Sequence, residues 1–167
     1  MASLSYVIEP LGKQHDKKAF SCGSEILDIY LQKQASQDIR RGIASVFVVV
    51  ENGKDVIYGY YTLSTGSIPY MSLREDSQKA MPHYNSLPAI RLGRLAVDQS
   101  HQKQRLGQFM LLNAMYYALA LPIAWQFFIV EAKPNAIAFY KKFGFLSCLD
   151  NDTYLYLTRK DTKTFCA

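Results

Sequence analysis

The amino-acid sequence predicts an α/β (α+β) fold, in which a single mixed, mostly antiparallel sheet of six to seven strands carries helices on both faces. Two observations lead to this expectation. In the first half, short β-branched and aromatic runs alternate with turn residues, which is typical of antiparallel strands. In the second half, the order is strand–helix–strand–helix–strand, which is typical of layered α/β sheets.

The first half should contain three strands and one helical region. Residues 4–9 are predicted to form the first strand, and a serine cap then starts a helix that runs, with or without a break, to residues 40–41. Residues 46–50 are a buried strand. Asn52-Gly53 is a strong hairpin signal, and residues 56–65 are the predicted return strand.

A long polar stretch, residues 67–87, separates this hairpin from the next strand at residues 88–97. Irregular segments of this length often cover a functional site, so the stretch is a candidate lid or substrate loop with one short helix near residues 73–79.

The charge-free segment at residues 106–130 is long enough to span a bilayer. Pro122 lies within it and would break a spanning helix. We therefore expect a helix at residues 106–119 and a strand at residues 124–130, with no membrane span.

Two short strands and one more helix complete the predicted order. Pro134 suits the first turn of a helix, and Gly144 suits its end. Residues 145–149 and 153–158 are the last two strands, on either side of a turn at residues 150–152.

Composition limits the classes of function. With 167 residues, 49% hydrophobic and 20% charged, the chain is predicted to be a single globular domain spanning residues 1–167. Its three cysteines are far apart, so neither a disulfide framework nor a metal site is expected. Residues 1–9 lack a signal-peptide pattern, which favours the cytoplasm. The net charge of +5 either attracts polyanions such as RNA or merely maintains solubility.

The most informative segment runs from residue 92 to residue 107, where a predicted strand ends, a polar loop turns and a helix begins. The first amides of a helix have no internal partner and the helix dipole is positive there, so such a turn can bind phosphate. Lys103 and Arg105 add positive charge. The segment has neither the Walker pattern nor the dinucleotide glycine spacing.

Together with a later segment, this loop resembles the GNAT family of N-acetyltransferases. The loop pattern of that family, Gln/Arg-x-x-Gly-x-Gly/Ala, is similar to Gln102-Lys103-Gln104-Arg105-Leu106-Gly107. A tyrosine followed by Gly-Phe on a later helix is similar to Tyr140-Lys141-Lys142-Phe143-Gly144-Phe145. The resemblance implies a GNAT fold, acetyl-CoA bound through its pyrophosphate by the loop amides, and Tyr140 as the general acid for the departing thiolate.

The resemblance also implies a wider donor site. The amides of residues 95–97 would pair with the pantetheine arm and polarise the thioester carbonyl. Arg105 replaces the usual first glycine, and we expect it to adopt an allowed helical conformation. Lys133 stands where many members have Asn, with Asn135 nearby. The implied acetyl-CoA contacts are Leu95, Ala96, Val97, Gln102, Lys103, Gln104, Arg105, Leu106, Gly107, Lys133 and Asn135.

A finer resemblance, to the toxin branch of GNAT, covers most of the chain. It is carried by His15-x4-Phe20-x-Cys22-Gly23, by Gly59-Tyr60-Tyr61-Thr62-Leu63 and by Leu92-Gly93-Arg94-Leu95-Ala96-Val97. It implies acetylation of the α-amine of aminoacyl-tRNA, a block of translation, and a small ribbon-helix-helix antitoxin as the neutralising partner.

Two features of the acceptor site are left open. The candidate RNA-phosphate contacts, which would position RNA without reading its sequence, are Arg40, Arg41, Arg91 and Arg94; the alternative for each is a solvated surface charge. The α-amine of an aminoacyl ester is a weak base, so water would suffice to deprotonate it. The candidate histidine bases are His15, His83 and His101.

Two other functions stay open at this point: a GNAT enzyme acting on a small-molecule or protein amine, and a non-catalytic CoA- or RNA-binding module. The predicted helix at residues 106–119 is apolar almost all round. This indicates either deep burial or a contact with an antitoxin or a second copy of the chain, as in a homodimer.

Overall fold

The computed structural model describes residues 5–167, which form two compact units. The first unit runs to Ser64 and also contains Arg94–Ala114. The second unit comprises Thr65–Gly93 and Met115–Ala167.

The described residues contain seven strands and six α-helices, joined by short turns of other helix types. The strands are β1 Tyr6–Pro10, β2 Ser45–Glu51, β3 Gly59–Pro69, β4 Ser86–Val97, β5 Phe127–Glu131, β6 Leu146–Ser147 and β7 Tyr154–Thr158. The α-helices are α1 Glu25–Ile29, α2 Ala35–Arg40, α3 Glu75–Lys79, α4 Leu106–Ala120, α5 Ile137–Lys141 and α6 Arg159–Cys166.

The strands are hydrogen-bonded in the order β1-β2-β3-β4-β5-β7-β6. The β4–β5 pair is parallel, whereas β1–β2, β2–β3, β5–β7 and β6–β7 are antiparallel. The mixed, mostly antiparallel sheet predicted from the sequence is therefore confirmed. The β4–β5 register ends at Leu92↔Val130, so residues 93–97 of β4 lie beyond its last pair with β5.

In the first unit, helices cover both faces of the sheet. On one face, Leu31 and Ala35 pack in a core cluster with Val48 of β2 and Tyr60 of β3. On the other face, the Tyr61 hydroxyl donates to Asn113 Oδ1 of α4 at 2.6 Å. Successive strand residues point to opposite faces, so Tyr60 and Tyr61 together place helices on both sides of β3.

The helical region predicted at the N-terminal side has a break, which is a π-helical turn at Tyr30–Gln34 between α1 and α2. The turn brings Tyr30 and Gln34 to the buried carboxylate of Asp38: Tyr30 Oη donates at 2.8 Å and Gln34 Nε2 at 2.9 Å. The guanidinium of Arg94 lies 3.5 Å from the centre of the Tyr30 ring, a cation–π contact.

These contacts shift the pKa values of Tyr30 and Asp38 in opposite directions. Burial, and then the hydrogen bond to Asp38, raises the pKa of Tyr30 to about 12. The hydrogen bonds from Gln34 and from Tyr30 hold the pKa of Asp38 below its usual value, against the opposing effect of burial. Asp38 is therefore an ionised carboxylate inside the first unit, and its charge is compensated by two donors in the preceding π-helical turn and by Arg94.

The core of the second unit lies around Tyr156 of β7, which is fully buried with Ile68, Phe127 and Ile129. The Tyr156 hydroxyl accepts a hydrogen bond from the Arg74 amide at 3.0 Å at the start of α3. The phenol thus fixes the short helix to the sheet, and it lets the polar stretch before β4 fold against an apolar cluster.

The connection between β2 and β3 differs from its prediction. Asn52-Gly53 does form a turn, with Gly53 at φ +82°. The ladder resumes only at Val49↔Gly59, so the prediction that the return strand begins at residue 56 is wrong. Val56 instead forms an isolated bridge with Asp16. At its other end β3 continues to Pro69, into the segment for which the sequence predicts irregular structure.

Several other bounds are corrected. Strand β5 begins at Phe127 rather than residue 124, because Trp125 turns back to donate its indole N–H to Ala118 O at 2.9 Å. The strand predicted at residues 145–149 is only Leu146–Ser147. Strand β1 is Tyr6–Pro10 instead of residues 4–9, and Leu4 lies outside the described residues.

Helix α6 was not predicted at all. Its start is capped by the Thr158 hydroxyl, which accepts from the Asp161 amide at 3.1 Å. A threonine followed three residues later by an acidic residue is a recognised signal for the start of a helix. Thr158 and Asp161 form this pattern in the sequence. No helix among residues 5–167 is long and apolar enough to cross a membrane.

We expect Tyr30→Phe to lower the free energy of unfolding by about 1.5–3 kcal/mol, because a hydrogen bond to a charged acceptor is lost. The pKa of Asp38 is depressed by folding. Its contribution is therefore present above its unfolded pKa of about 3.9 and is lost as the pH falls through the lower, folded pKa. Urea unfolding should show the difference between wild type and Tyr30→Phe shrinking below about pH 3.9.

Tyr84→Phe is the matched control, since Tyr84 is 65% exposed. It should change the stability by less than about 0.5 kcal/mol. A loss in Tyr30→Phe that stayed constant down to the acid limit would contradict the role given to the Asp38 carboxylate.

Candidate active site

The end of β4 has backbone groups that do not face β3. The amide of Asp98 donates to Tyr58 O at 2.8 Å, on the β3 side of the strand. Amide directions alternate along a strand, so the amides of Leu95 and Val97 point away from β3. Both lie beyond the last β4–β5 pair. Leu95 and Val97 are therefore placed to donate to an extended ligand along this edge.

The turn that follows β4 is held by the carboxylate of Asp98. One oxygen accepts from the Ser100 amide at 3.0 Å and the Ser100 hydroxyl at 2.6 Å. The other accepts from the Ser21 amide at 2.9 Å. Burial works to raise the pKa of Asp98, but these hydrogen bonds outweigh it and the pKa is lowered. An ionised aspartate thus joins the turn to the segment before α1.

The two glutamines of the loop motif are engaged inside the first unit. Gln102 Nε2 donates to Cys22 O at 3.0 Å and to Val97 O at 3.1 Å. Gln104 Oε1 accepts from the Tyr6 hydroxyl at 2.8 Å. Their side chains therefore shape the turn, and only the backbone atoms of these two glutamines remain to contact a ligand.

Arg105 differs from its prediction. Its backbone is left-handed, with φ +59°, and Lys103 is left-handed as well, with φ +72°. The expectation of an ordinary helical conformation is therefore wrong, because the turn keeps the backbone shape that glycine adopts without strain. A left-handed conformation costs a non-glycine residue about 1–2 kcal/mol. The surrounding hydrogen bonds must supply this energy.

Helix α4 starts directly after this turn. The Phe109 amide donates to Arg105 O at 3.0 Å, which is the first bond of the helix. The amides of Leu106 and Gly107 precede that bond and have no partner within the helix. Lys103 and Arg105 are exposed beside them. The arrangement suits a polyanion such as a pyrophosphate, since unpaired amides, the helix dipole and two cations act together.

Tyr140 lies in the second unit, on α5. Its side chain is 5% exposed and packs edge-on against Phe139 and Phe145, with ring centres 5.1 Å and 5.5 Å away. Burial strongly raises the pKa of the phenol. Within the described residues its hydroxyl has no hydrogen bond, yet no buried polar side-chain atom there lacks a partner. The hydroxyl oxygen is therefore not fully enclosed by protein atoms, and because burial raises its pKa it stays protonated.

The remaining predicted contacts fall in both units. Lys133 and Asn135 are exposed around the short turn Pro134–Ala136 that precedes α5. Arg91 is exposed on β4 in the second unit. Arg40 and Arg41 are exposed at the end of α2 in the first unit.

Arg94 is half-buried, and its guanidinium lies on the Tyr30 ring. This contact ties the end of β4 to the helical region of the first unit. Its role as a phosphate contact stays a prediction.

Each of the histidines has partners inside its own unit. His15 is 4% exposed with both ring nitrogens hydrogen-bonded. His83 Nε2 lies 3.3 Å from Tyr70 Oη. The His101 ring stacks 3.9 Å from that of Tyr58. None of these contacts gives a histidine the position of a general base. Between residues 5 and 167 there is no cluster of three or more His, Cys, Asp or Glu suited to a metal ion.

Comparison with known protein families identifies the chain. The model of the acetyltransferase (GNAT) domain matches residues 42–146, well over half of the 167 residues. The chain belongs to the GNAT family of acetyltransferases. As a GNAT member it is an acyltransferase, and the matched segment includes the β4–α4 turn and Tyr140.

Similar proteins with a described role are toxins. A tRNA-acetylating toxin of Mycobacterium tuberculosis is 32% identical over 151 residues, covering 89% of both chains. The structure of AtaT complexed with acetyl-methionyl-tRNAfMet covers 98% of this GNAT chain and 100% of AtaT, with 28% identity and a TM-score of 0.88. A Tyr→Phe mutant of AtaT, bound to the C-terminus of the antitoxin AtaR and to acetyl-CoA, has 26% identity, covers 96% and 98%, and has a TM-score of 0.80.

We expect Arg105→Gly to leave the free energy of unfolding within about 1 kcal/mol of wild type, because relief of left-handed strain offsets the extra entropy of unfolded glycine. Arg105→Val should lower it by about 1–3 kcal/mol, because a β-branched residue fits this conformation poorly. Urea unfolding measures both.

Arg40 gives the control, since it lies in the right-handed helix α2. There glycine should be the more destabilising substitution, by a few tenths of a kcal/mol or more. If the Gly and Val variants ranked in the same order of unfolding free energy at both positions, the left-handed assignment of Arg105 would be contradicted.

Proposed function

We propose that this GNAT chain transfers an acetyl group from acetyl-CoA to the α-amine of aminoacyl-tRNA and so blocks translation as a toxin. The observation that carries the proposal is the β4–α4 turn, where unpaired helix amides and exposed cations follow a strand with outward-facing amides. The choice of acceptor is supported by the tRNA-acetylating toxin of Mycobacterium tuberculosis and by AtaT with its acetylated tRNA.

The donor is held mainly by backbone atoms. Acetyl-CoA, when bound, supplies the acetyl group as an activated thioester. The amides of Leu106 and Gly107 bind pyrophosphate, and Lys103 and Arg105 add charge without needing a fixed side-chain geometry. The amides of residues 95–97 that face away from β3 hold the extended arm and stabilise negative charge on the carbonyl oxygen. Exposed Lys133 and Asn135 are proposed as further contacts.

Tyr140 is the proposed proton donor. When the amine nitrogen bonds to the acetyl carbon and the carbon–sulfur bond breaks, the phenol gives its proton to the departing sulfur. Burial raises the pKa of Tyr140, so the group is a poor acid in isolation but is always protonated. Burial disfavours the thiolate for the same reason, which raises its pKa and brings the two groups closer in acidity.

The acceptor needs no strong base from the protein. Its α-amine is largely neutral near neutral pH, and its proton passes to water. The net charge of +5 attracts the RNA. Arg40, Arg41, Arg91 and Arg94 are the proposed phosphate contacts, which would position tRNA without reading its sequence.

Partners and setting follow from this function. AtaT is bound to the antitoxin AtaR in a related structure. We extend this to a neutralising antitoxin of the ribbon-helix-helix type for this chain. A homodimer, action in the cytoplasm where aminoacyl-tRNA is found, and a single GNAT domain over residues 1–167 belong to the same proposal.

The first test is mass spectrometry of charged tRNA after incubation with the protein and acetyl-CoA, with Tyr140→Phe in parallel. Wild type should add one acetyl group to the nuclease-released aminoacyl-adenosine. Tyr140→Phe should lower kcat by about 10²–10⁴-fold, since only the proton donor is removed. Its affinity for acetyl-CoA should stay within about twofold, a negligible change in binding free energy.

Tyr116→Phe is the control, because Tyr116 is 61% exposed on α4. Unchanged turnover in Tyr140→Phe would remove the phenol from the mechanism. An intact acetyl-CoA site with no acetylated tRNA would redirect the search to small-molecule or protein amines. Binding without turnover of any amine would favour a non-catalytic module.

A second prediction concerns Gly107. Gly107→Glu puts a negative charge in the first turn of α4, where it favours the helix but repels pyrophosphate. Unit charges about 6 Å apart at an effective dielectric of 20 interact by about 3 kcal/mol, so acetyl-CoA should bind at least about tenfold more weakly. Calorimetric titration of Gly107→Glu against Gly107→Gln separates charge from bulk. Equal affinity of the two variants would place the pyrophosphate elsewhere.

A further inference from the structure

We infer that a cavity in the second unit receives the amino-acid side chain of the aminoacyl-tRNA acceptor, an inference that rests on the proposed function. The cavity lies between β3, β4, β5 and the β6–β7 hairpin, and Ile68, Ile129, Leu155, Cys148, Arg91 and Asp150 are among the residues that line it. Because most of these residues belong to the sheet, the cavity is a preformed feature of the fold.

The size of the cavity selects the class of group that it can hold. Its volume is about 190 Å³. An engineered apolar cavity of about 150 Å³ binds benzene, whereas sites for larger ligands span roughly 300–1,000 Å³. The cavity therefore fits one side chain of up to about the size of methionine or phenylalanine, and it is too small for a nucleoside.

The walls favour an apolar side chain. Ile68, Ile129 and Leu155 are at most 6% exposed. Two of the polar groups in the wall are hydrogen-bonded within the protein: the Ser72 hydroxyl donates to Asp150 Oδ2 at 3.2 Å, and Asn151 Oδ1 accepts from the Thr153 amide at 2.9 Å. Apolar atoms make up the larger part of the wall, so the cavity discriminates by size and apolar character.

Arg91 places a positive charge at this cavity. It is exposed on β4, and its guanidinium lies against Gly66 of β3, where an added Cβ would come within 3.5 Å of Nε and Nη2. A guanidinium beside a pocket for a side chain can bind a phosphate of the nucleotides to which that amino acid is attached. The cavity and Arg91 together match an amino acid joined to a polyanion.

Cys148 is the best position for testing the cavity, because it lines it and lies outside the proposed catalytic groups. Cys148→Phe should fill the space and Cys148→Ala should enlarge it. For wild type, kcat/KM should favour methionyl-tRNA over glycyl-tRNA by about tenfold or more, the usual value of a few buried methylenes. Cys148→Phe should lower this ratio several-fold, and Cys148→Ala should raise the relative rate with phenylalanyl-tRNA.

A binding measurement makes the test independent of turnover. The probe is adenosine carrying methionine through a 3′-amide, titrated into the intact protein. Wild type should bind it and Cys148→Phe should bind it about tenfold more weakly, as expected when a fitting pocket is filled. If Cys148→Phe does not fold, Cys148→Ala with methionyl and phenylalanyl probes answers the same question.

Arg91 has a separate readout. Each phosphate contact made to single-stranded nucleic acid contributes about 0.7 to the slope of log affinity against log salt. Arg91→Ala should reduce this slope for aminoacyl-tRNA by about that amount and weaken all aminoacyl-tRNAs alike. Lys163→Ala removes an exposed charge on α6 in the same unit and should leave the slope unchanged.

The outcomes separate the cavity from the proposed function. If folded Cys148 variants acetylate tRNA with an unchanged ratio of kcat/KM for methionyl-tRNA over glycyl-tRNA, the proposed role of the cavity is wrong and the proposed function stands. Probe binding that responds to Cys148, with no acetylation of any tRNA, would keep the cavity as an aminoacyl site and overturn the function. Absence of both acetylation and probe binding would overturn both.

Discussion

The Asp98 carboxylate holds the β4–α4 turn, on which the proposed donor site depends. It accepts hydrogen bonds from Ser100, two residues ahead of it, and from Ser21, 77 residues before it in the sequence. Gln102 then bonds two carbonyls across the same turn. Lys103 and Arg105 are left-handed in this turn, at a cost of about 1–2 kcal/mol each, which these hydrogen bonds help to offset. Helix α4 begins directly after Arg105, so the two left-handed residues lie beside its first amides, which we propose bind pyrophosphate.

Burial has opposite outcomes for the ionisation of Asp98 in the β4–α4 turn and of Tyr140 on α5. At the turn, hydrogen bonds overcome burial and keep Asp98 ionised, so the fixed charge organises the backbone. At Tyr140 nothing opposes burial, and the phenol stays neutral and retains its proton. An ionised buried carboxylate holds its hydrogen-bond donors in place, whereas a buried neutral phenol keeps its proton until a base lies against it.

Local patterns in the sequence predicted much of the fold, and their failures have local causes. The order of strands and helices followed from apolar spacing and turn residues. The start of β3 was missed because the pairing register with β2, rather than the Asn52-Gly53 turn, decides where the ladder resumes. Helix α6 was missed although Thr158 provides a cap signal, because it is only eight residues long and mostly polar. The prediction for the backbone of Arg105 was wrong, because the preference of arginine is for a right-handed conformation and the tertiary contacts override it.

By itself, the sequence determined the element order as far as β7, the GNAT motifs and the candidate residues at the β4–α4 turn and on α5, since each depends on residues a few positions apart. The tertiary structure alone decided that Gln102 would bond Cys22, 80 residues away, and Gln104 would bond Tyr6, 98 residues away. It also decided that Arg94 would lie on Tyr30 and that a cavity would open beside Arg91. Such contacts depend on strand register and helix packing, which bring together residues that no local pattern connects.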